Sequence, residues 1–141
     1  MFAATPLLSL PVLAYNLYVL SLNGSFRAMD ATAKLTAPLF SLRTAAGATW
    51  PVSVSDLMVA VSLLVLFIEL FKSTASRRAA MINHALSMLL FVACLLELLL
   101  EPSFATSTFC LISLMVLLDV VAGFIVTIGP GRPFQATDDQ Y

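Results

Sequence analysis

The chain has 141 residues, 60% of them hydrophobic and only 11% charged, against about 25% charged in an ordinary soluble protein. The apolar residues come in runs too long for a soluble domain of this size to hide, which points to a lipid bilayer. A net charge of −1 leaves no basic excess to hold nucleic acid, and Cys94 and Cys110 lie inside apolar runs, away from metal or redox spacings, so they read as small buried hydrophobes.

A helix rises about 1.5 Å per residue, so roughly 20 apolar residues cross about 30 Å of hydrocarbon. The first such window covers about 5–22. It lacks the positive start and small-residue cleavage site of a signal peptide and reads as a retained membrane segment. Thr5 is a possible N-cap, Pro6 occupies the permitted first position, and Asn23-Gly24 is a stop. Pro11 removes one backbone hydrogen bond and is expected to kink the segment.

An outer segment, 23–55, follows, and its second half alternates. Phe40 and Leu42 interleave with Ser41 and Arg43; Trp50, Val52 and Val54 interleave with Pro51, Ser53 and Ser55. Two period-2 runs joined by Ala45-Ala46-Gly47 predict a hairpin over about 39–54, with Gly47 in the left-handed position. Leu42 then faces Trp50 and Phe40 faces Val52, giving one apolar face. A lone hairpin is marginal in water, so that face needs the lipid interface, with Trp50 as its anchor, or the end of the helix bundle. The alternative is an unstructured loop that happens to alternate.

The second span covers about 56–71, with Asp56 as its N-cap; a basic loop, 72–78, carries Lys72, Arg77 and Arg78. The third span covers about 79–100 and ends near Pro102. The fourth, about 107–128, is capped by Thr106 or Ser107 and broken by Gly129-Pro130-Gly131, leaving a tail over 129–141. The expected fold is a single all-α integral membrane domain: four transmembrane helices in an antiparallel bundle, with a short amphipathic β-hairpin between the first two. The dense basic loop, with Arg132 on the same side, outweighs the spread-out Arg27, Lys34 and Arg43, which places the loop and both termini in the cytoplasm.

Helices gain little from hydrophobicity inside lipid, so polar and small residues should mark their contacts. Ser55, Ser62 and Glu69 recur every seven residues in the second span. Asn83, Ser87, Leu90, Cys94, Glu97 and Glu101 follow steps of four and three in the third. Thr106, Ser113, Val120 and Thr127 repeat at seven in the fourth, and the first span offers Asn16 with Tyr15 and Tyr18 beside it. A central carboxylate costs about 2.5–3.5 kcal/mol on insertion scales, so such residues face inward and often mark function. Glu69 and His84 stand one turn to either side of the basic loop, at one level. Three readings are open for Glu69: pairing with Lys72 at i+3 and reaching the headgroups, a structural bond to His84, or a proton-handling or ligand-binding pair with it. Asp119 lies about 20 Å into the fourth span and borders the polar seam on the side of Gly123. It is either structural glue or a proton, ion or cofactor contact. Glu97 and Glu101 read as an acidic edge near the outer end.

Motifs for chemistry are absent: no histidine pair at metal spacing, no Ser/His/Asp set, no glycine-rich phosphate loop, and one histidine cannot supply two haem ligands. The expectation is therefore no catalytic activity and no cofactor. The stretches "W-x-V-x-V-x-D-L" (Trp50–Leu57), "F-I-E-L-F-K" (Phe67–Lys72), "NHALS" (Asn83–Ser87), "ATSTF" (Ala105–Phe109) and "D-V-V-A-G-F" (Asp119–Phe124) resemble a group of small bacterial inner-membrane proteins. The resemblance covers about residues 50–128. It implies four helices in that membrane, attaches no activity to them, and carries over no catalytic or binding residue.

Minimal loops and spare polar positions on the helices point to an accessory, assembly or stabilising subunit of a larger membrane complex. The alternative is an oligomeric small transporter or proton-coupled carrier that uses Asp119 with Glu69 and His84; a lipid- or quinone-interacting protein is a third. The partners are then the lipid bilayer and either other membrane proteins or further copies of the chain.

Overall fold

The structure, a computed structural model, describes residues 5–23, 31–72 and 77–128. The middle of the basic loop, the side chains of Arg77 and Arg78, Arg27, Arg132 and the tail lie outside the described residues. The elements run α1 (Ser9–Asn23), α2 (Ala31–Leu35), β1 (Pro38–Arg43), β2 (Thr49–Ser53), α3 (Val54–Lys72), α4 (Arg77–Leu100), a 3-10 turn (Pro102–Phe104) and α5 (Ser107–Ile128).

Three helices are long and apolar enough to cross a membrane: α3, α4 over Met81–Leu100, and α5 over Ser107–Ile125. By contrast α1 has 15 residues, about 22 Å at the helical rise, short of the hydrocarbon thickness. The first-span window, about 5–22, thus contains a shorter helix than expected. Pro6 and Pro11 explain the difference. The chain makes a turn through Ser9 N→Pro6 O (3.1 Å) and Leu10 N→Leu7 O (3.0 Å), and the helix begins so that Pro11 falls in its first turn. The missing N–H of Pro11 is then one of the donors a helix start leaves unpaired anyway, and the proline marks an entry rather than a mid-span kink.

α5 is the centre of the bundle. α3 and α4 each pack mainly on it, and α1 leans on α3 and α5. The surface is inverted relative to a water-soluble protein. On α3 only Ser62, Leu66 and Glu69 are buried, at steps of four and three, while Val61, Leu64, Phe67, Ile68 and Phe71 are exposed. On α4 the buried residues include Asn83, Ser87 and Cys94, with Leu90, Glu97 and Glu101 partly buried, so the six-residue seam faces inward. Such a chain places its polar atoms where they can pair with each other and its apolar atoms where lipid can meet them.

Two helix starts carry caps. Thr106 Oγ1 accepts from Phe109 N at 3.2 Å and caps α5. At α3 the capping differs from the expectation at Asp56: the helix starts at Val54, Ser53 Oγ accepts from Asp56 N (3.3 Å), and Asp56 Oδ2 accepts from Ser53 N (2.9 Å). Ser53 is therefore the N-cap and Asp56 the reciprocal third-position acceptor of a capping box. Likewise α4 starts at Arg77 rather than at residue 79.

The outer segment contains the hairpin in the expected register, Leu42 opposite Trp50 and Phe40 opposite Val52. Thr44 N bonds Ala48 O at 2.9 Å, closing the three-residue loop with Gly47 at φ +82°, a conformation glycine adopts without Cβ strain. Since the Thr44–Ala48 pair is hydrogen-bonded, the Ser41–Pro51 pair falls on a non-bonded rung, and Pro51 costs the ladder nothing. The segment also holds α2, whose Ala31 and Leu35 are buried in the core beside the 3-10 turn. Nothing in the alternation of the outer segment pointed to that helix.

Candidate functional site

At the end of the bundle where α3 leads toward α4, polar side chains from three helices converge. Glu69, fully buried, is one turn from the C-terminus of α3 and accepts three donors. Asn83 Nδ2 donates to Oε1 at 2.5 Å, the backbone N–H of Leu7 donates to Oε2 at 2.7 Å, and Lys72 Nζ stands 3.5 Å from Oε1. Lys72 Nζ also donates to Thr5 O at 2.5 Å. The prolines create this arrangement. Because the chain before Ser9 is not helical, Thr5 C=O and Leu7 N–H are open to side chains, and a carboxylate and an ammonium three residues apart on one face of α3 take them up.

The α4–α5 contact is an antiparallel ladder of small and polar residues. Cys94 and Ser113 are in hydrogen-bond contact. One level on, Ser87 Oγ donates to Asp119 Oδ2 at 2.5 Å. At the next level His84 lies over Gly123, close enough that a Cβ there would come within 2.7 Å of Nδ1 and 3.1 Å of the imidazole Cγ. The absent side chain of Gly123 is what lets the imidazole approach α5. His84 also faces the Phe124 ring, at a centroid separation of 6.4 Å. Ser87 and Asp119 are both buried, and each gives the other a hydrogen-bond partner inside the bundle. Glu69, His84 and Lys72 lie within electrostatic range of Asp119.

Of the candidates read from the sequence, Glu69, Asn83, His84 and Asp119 meet at this end. The i+3 ion pair between Glu69 and Lys72 forms, while the place opposite Glu69 is taken by Asn83 rather than by its neighbour His84. Two buried polar atoms at the site, Asn83 Oδ1 and His84 Nδ1, have no hydrogen-bond partner. Glu97 is elsewhere, half-buried on α4, where Oε2 accepts from Asn16 Nδ2 at 3.3 Å and so ties α1 to α4. The acidic edge is thus partly an interhelical contact. Near the other end of the bundle, Tyr15 OH is 2.6 Å from Thr106 Oγ1, and its ring packs on Phe104 and Phe109 at centroid distances of 5.5 and 4.8 Å. Sequence reading missed the backbone groups of Thr5 and Leu7, which no side-chain pattern can signal. Nor does the heptad spacing pair Ser87 with Asp119, because Asp119 only borders the polar seam of α5.

Trp50 is 56% exposed. With Phe40, Leu42 and Val52 it lines the hairpin side of an open groove of about 610 Å³, whose other wall is Leu57, Ala60, Thr108 and Leu111 on α3 and α5. Among the described residues no three His, Cys, Asp or Glu side chains are placed to hold a metal ion. What the polar cluster can do is fix helix positions and hold protons or balanced charges. Compared with known proteins, the chain matches no family model, no curated protein and no solved structure.

Proposed function

We propose that the chain is a four-span protein of the bacterial inner membrane, both termini cytoplasmic, that acts without catalysis as an accessory, assembly or stabilising subunit of a larger membrane complex. In this reading α1, with the turn before it, is the fourth span. The observation that carries the proposal is how the buried polar groups are used. Glu69 is held by Asn83, Leu7 and Lys72, Asp119 by Ser87, Glu97 by Asn16 and Tyr15 by Thr106. A bundle that pairs most of its interior polar groups with one another and with its own backbone is a rigid body suited to bracing neighbours. The hairpin adds a surface: Phe40, Leu42 and Trp50 are exposed together, and central aromatic anchors of that kind suit a protein contact.

Purification of the tagged protein from native membranes in mild detergent tests this. The expected result is recovery at fixed stoichiometry with other membrane polypeptides, reduced at least tenfold by the double substitution Leu42→Ser, Trp50→Ser. Recovery as a homo-oligomer alone, unchanged by that substitution, contradicts it. Such an oligomer would favour a second reading, a proton-coupled carrier using Asp119 with Glu69 and His84, for which the supporting observation is the two unpartnered atoms, Asn83 Oδ1 and His84 Nδ1.

A further inference from the structure

Among the described side chains, four ionisable ones share the polar end of the bundle: Glu69 and Lys72 from α3, His84 from α4 and Asp119 from α5. Glu69 and Lys72 are an ion pair and cancel each other's charge. Asp119 and His84 remain. An unbalanced charge away from water is expensive, and these two side chains are jointly neutral only when they carry one proton between them. They can do so in two ways: carboxylic acid with imidazole, or carboxylate with imidazolium.

We propose that Asp119 and His84 form a buried proton-binding site that holds a single proton shared between them. The geometry favours a shared proton over two independent groups. Ser87 Oγ, which bonds Asp119 Oδ2, is three residues after His84 on α4, and Gly123, which His84 covers, is four residues after Asp119 on α5. The two groups are therefore on adjacent rungs of one antiparallel ladder, about one helical turn apart along it. His84 Nδ1 is buried and unpartnered, so it is open to receive the proton. Gly123 presents no Cβ to stop the ring from turning toward Asp119. In the transfer the O–H bond of the Asp119 carboxyl breaks with its electron pair left on oxygen, and an N–H bond forms at His84 Nδ1; the net charge does not change. Ser87 keeps donating to Asp119 throughout, to a stronger acceptor once the carboxylate forms. Asn83 Oδ1, the other unpartnered buried atom, belongs to the residue before His84.

The inference rests on neither functional reading, since a subunit and a carrier can each hold such a proton. The chain has one histidine, so nitrogen-15 labelling of histidine reports on His84 alone, and the infrared C=O band of a protonated carboxyl reports on Asp119. Both are followed against pH in the full-length protein in lipid nanodiscs. For one shared proton the imidazolium signal and the Asp119 band fall over the same pH interval, because coupled groups titrate as a pair. Asp119→Asn removes the band and displaces the His84 curve by about one pH unit or more; Gly123→Ala, which crowds the ring, separates the two curves. If the wild-type curves are separated, if either signal is absent, or if Asp119→Asn leaves the His84 curve superimposed on the wild type, the shared-proton site is wrong. His84→Gln gives an independent arm should Asp119→Asn fail to fold: the carboxyl band must then move along the pH axis.

Discussion

Glu69 shows how much one buried side chain can organise. Its carboxylate is 0% exposed, yet it joins an ion pair, an interhelical amide and the backbone at the start of α1. Removing a single donor should be tolerable but measurable, since the remaining partners stay. Asn83→Leu is expected to destabilise the protein by about 1–2 kcal/mol, measured as the shift in a denaturation midpoint in detergent or bicelles. Paired with Glu69→Gln in a double-mutant cycle, it should show a coupling of about 0.5 kcal/mol or more; additive effects would mean that the 2.5 Å contact contributes nothing. At this scale legibility was uneven. Glu69, Asn83, His84 and Asp119 stand out in sequence because ionisable and amide side chains are rare in apolar runs. Their pairing does not, because Asn83 and His84 are adjacent and only the rotation of α4 decides which of them meets Glu69.

Elements were legible where periodicity is long and were not where a proline or a cap sets the boundary. The three long helices and the hairpin register follow from hydrophobic runs and from alternation around Gly47. The start of α3 depends on a finer competition. Both Ser53 and Asp56 are N-cap residue types, and Ser53 takes the role because Asp56 can then reach back to its N–H, satisfying two backbone donors where a cap at Asp56 satisfies one. Ser53→Ala should cost about 1 kcal/mol and raise amide hydrogen exchange in the first turn of α3 and in β2, which the cap joins. Unchanged exchange there would show that the hairpin and helix are held by other contacts. The start of α1 is not predictable from composition: its window is apolar enough, but Pro6 and Pro11 move the helix start to Ser9. The short helix α2 gives no periodic signal in five residues and is ordered by burial of Ala31 and Leu35 against the bundle.

For the whole molecule, the distribution of side chains favours lipid as the surroundings of the three long helices. The interior holds Ser62, Glu69, Asn83, Ser87, Ser113 and Asp119 alongside Leu66, Phe109, Ile112 and Val116, and the large side chains exposed on α3, α4 and α5 are leucine, isoleucine, valine, phenylalanine and methionine. In water that surface would drive aggregation; in lipid it costs nothing, and the polar interior supplies the contacts that apolar faces cannot. Every functional statement above depends on this inversion. It is tested most directly by a spin-label scan of single-cysteine variants along residues 57–71 of α3 in proteoliposomes, recording collision with oxygen and with a water-soluble relaxation agent. The account predicts a period of about 3.6 residues, with Leu64, Phe67, Ile68 and Phe71 accessible to oxygen, Ser62, Leu66 and Glu69 protected, and the mid-helix positions closed to the aqueous agent. A helix whose Leu64 face meets the aqueous agent, or a profile without helical periodicity, would contradict it.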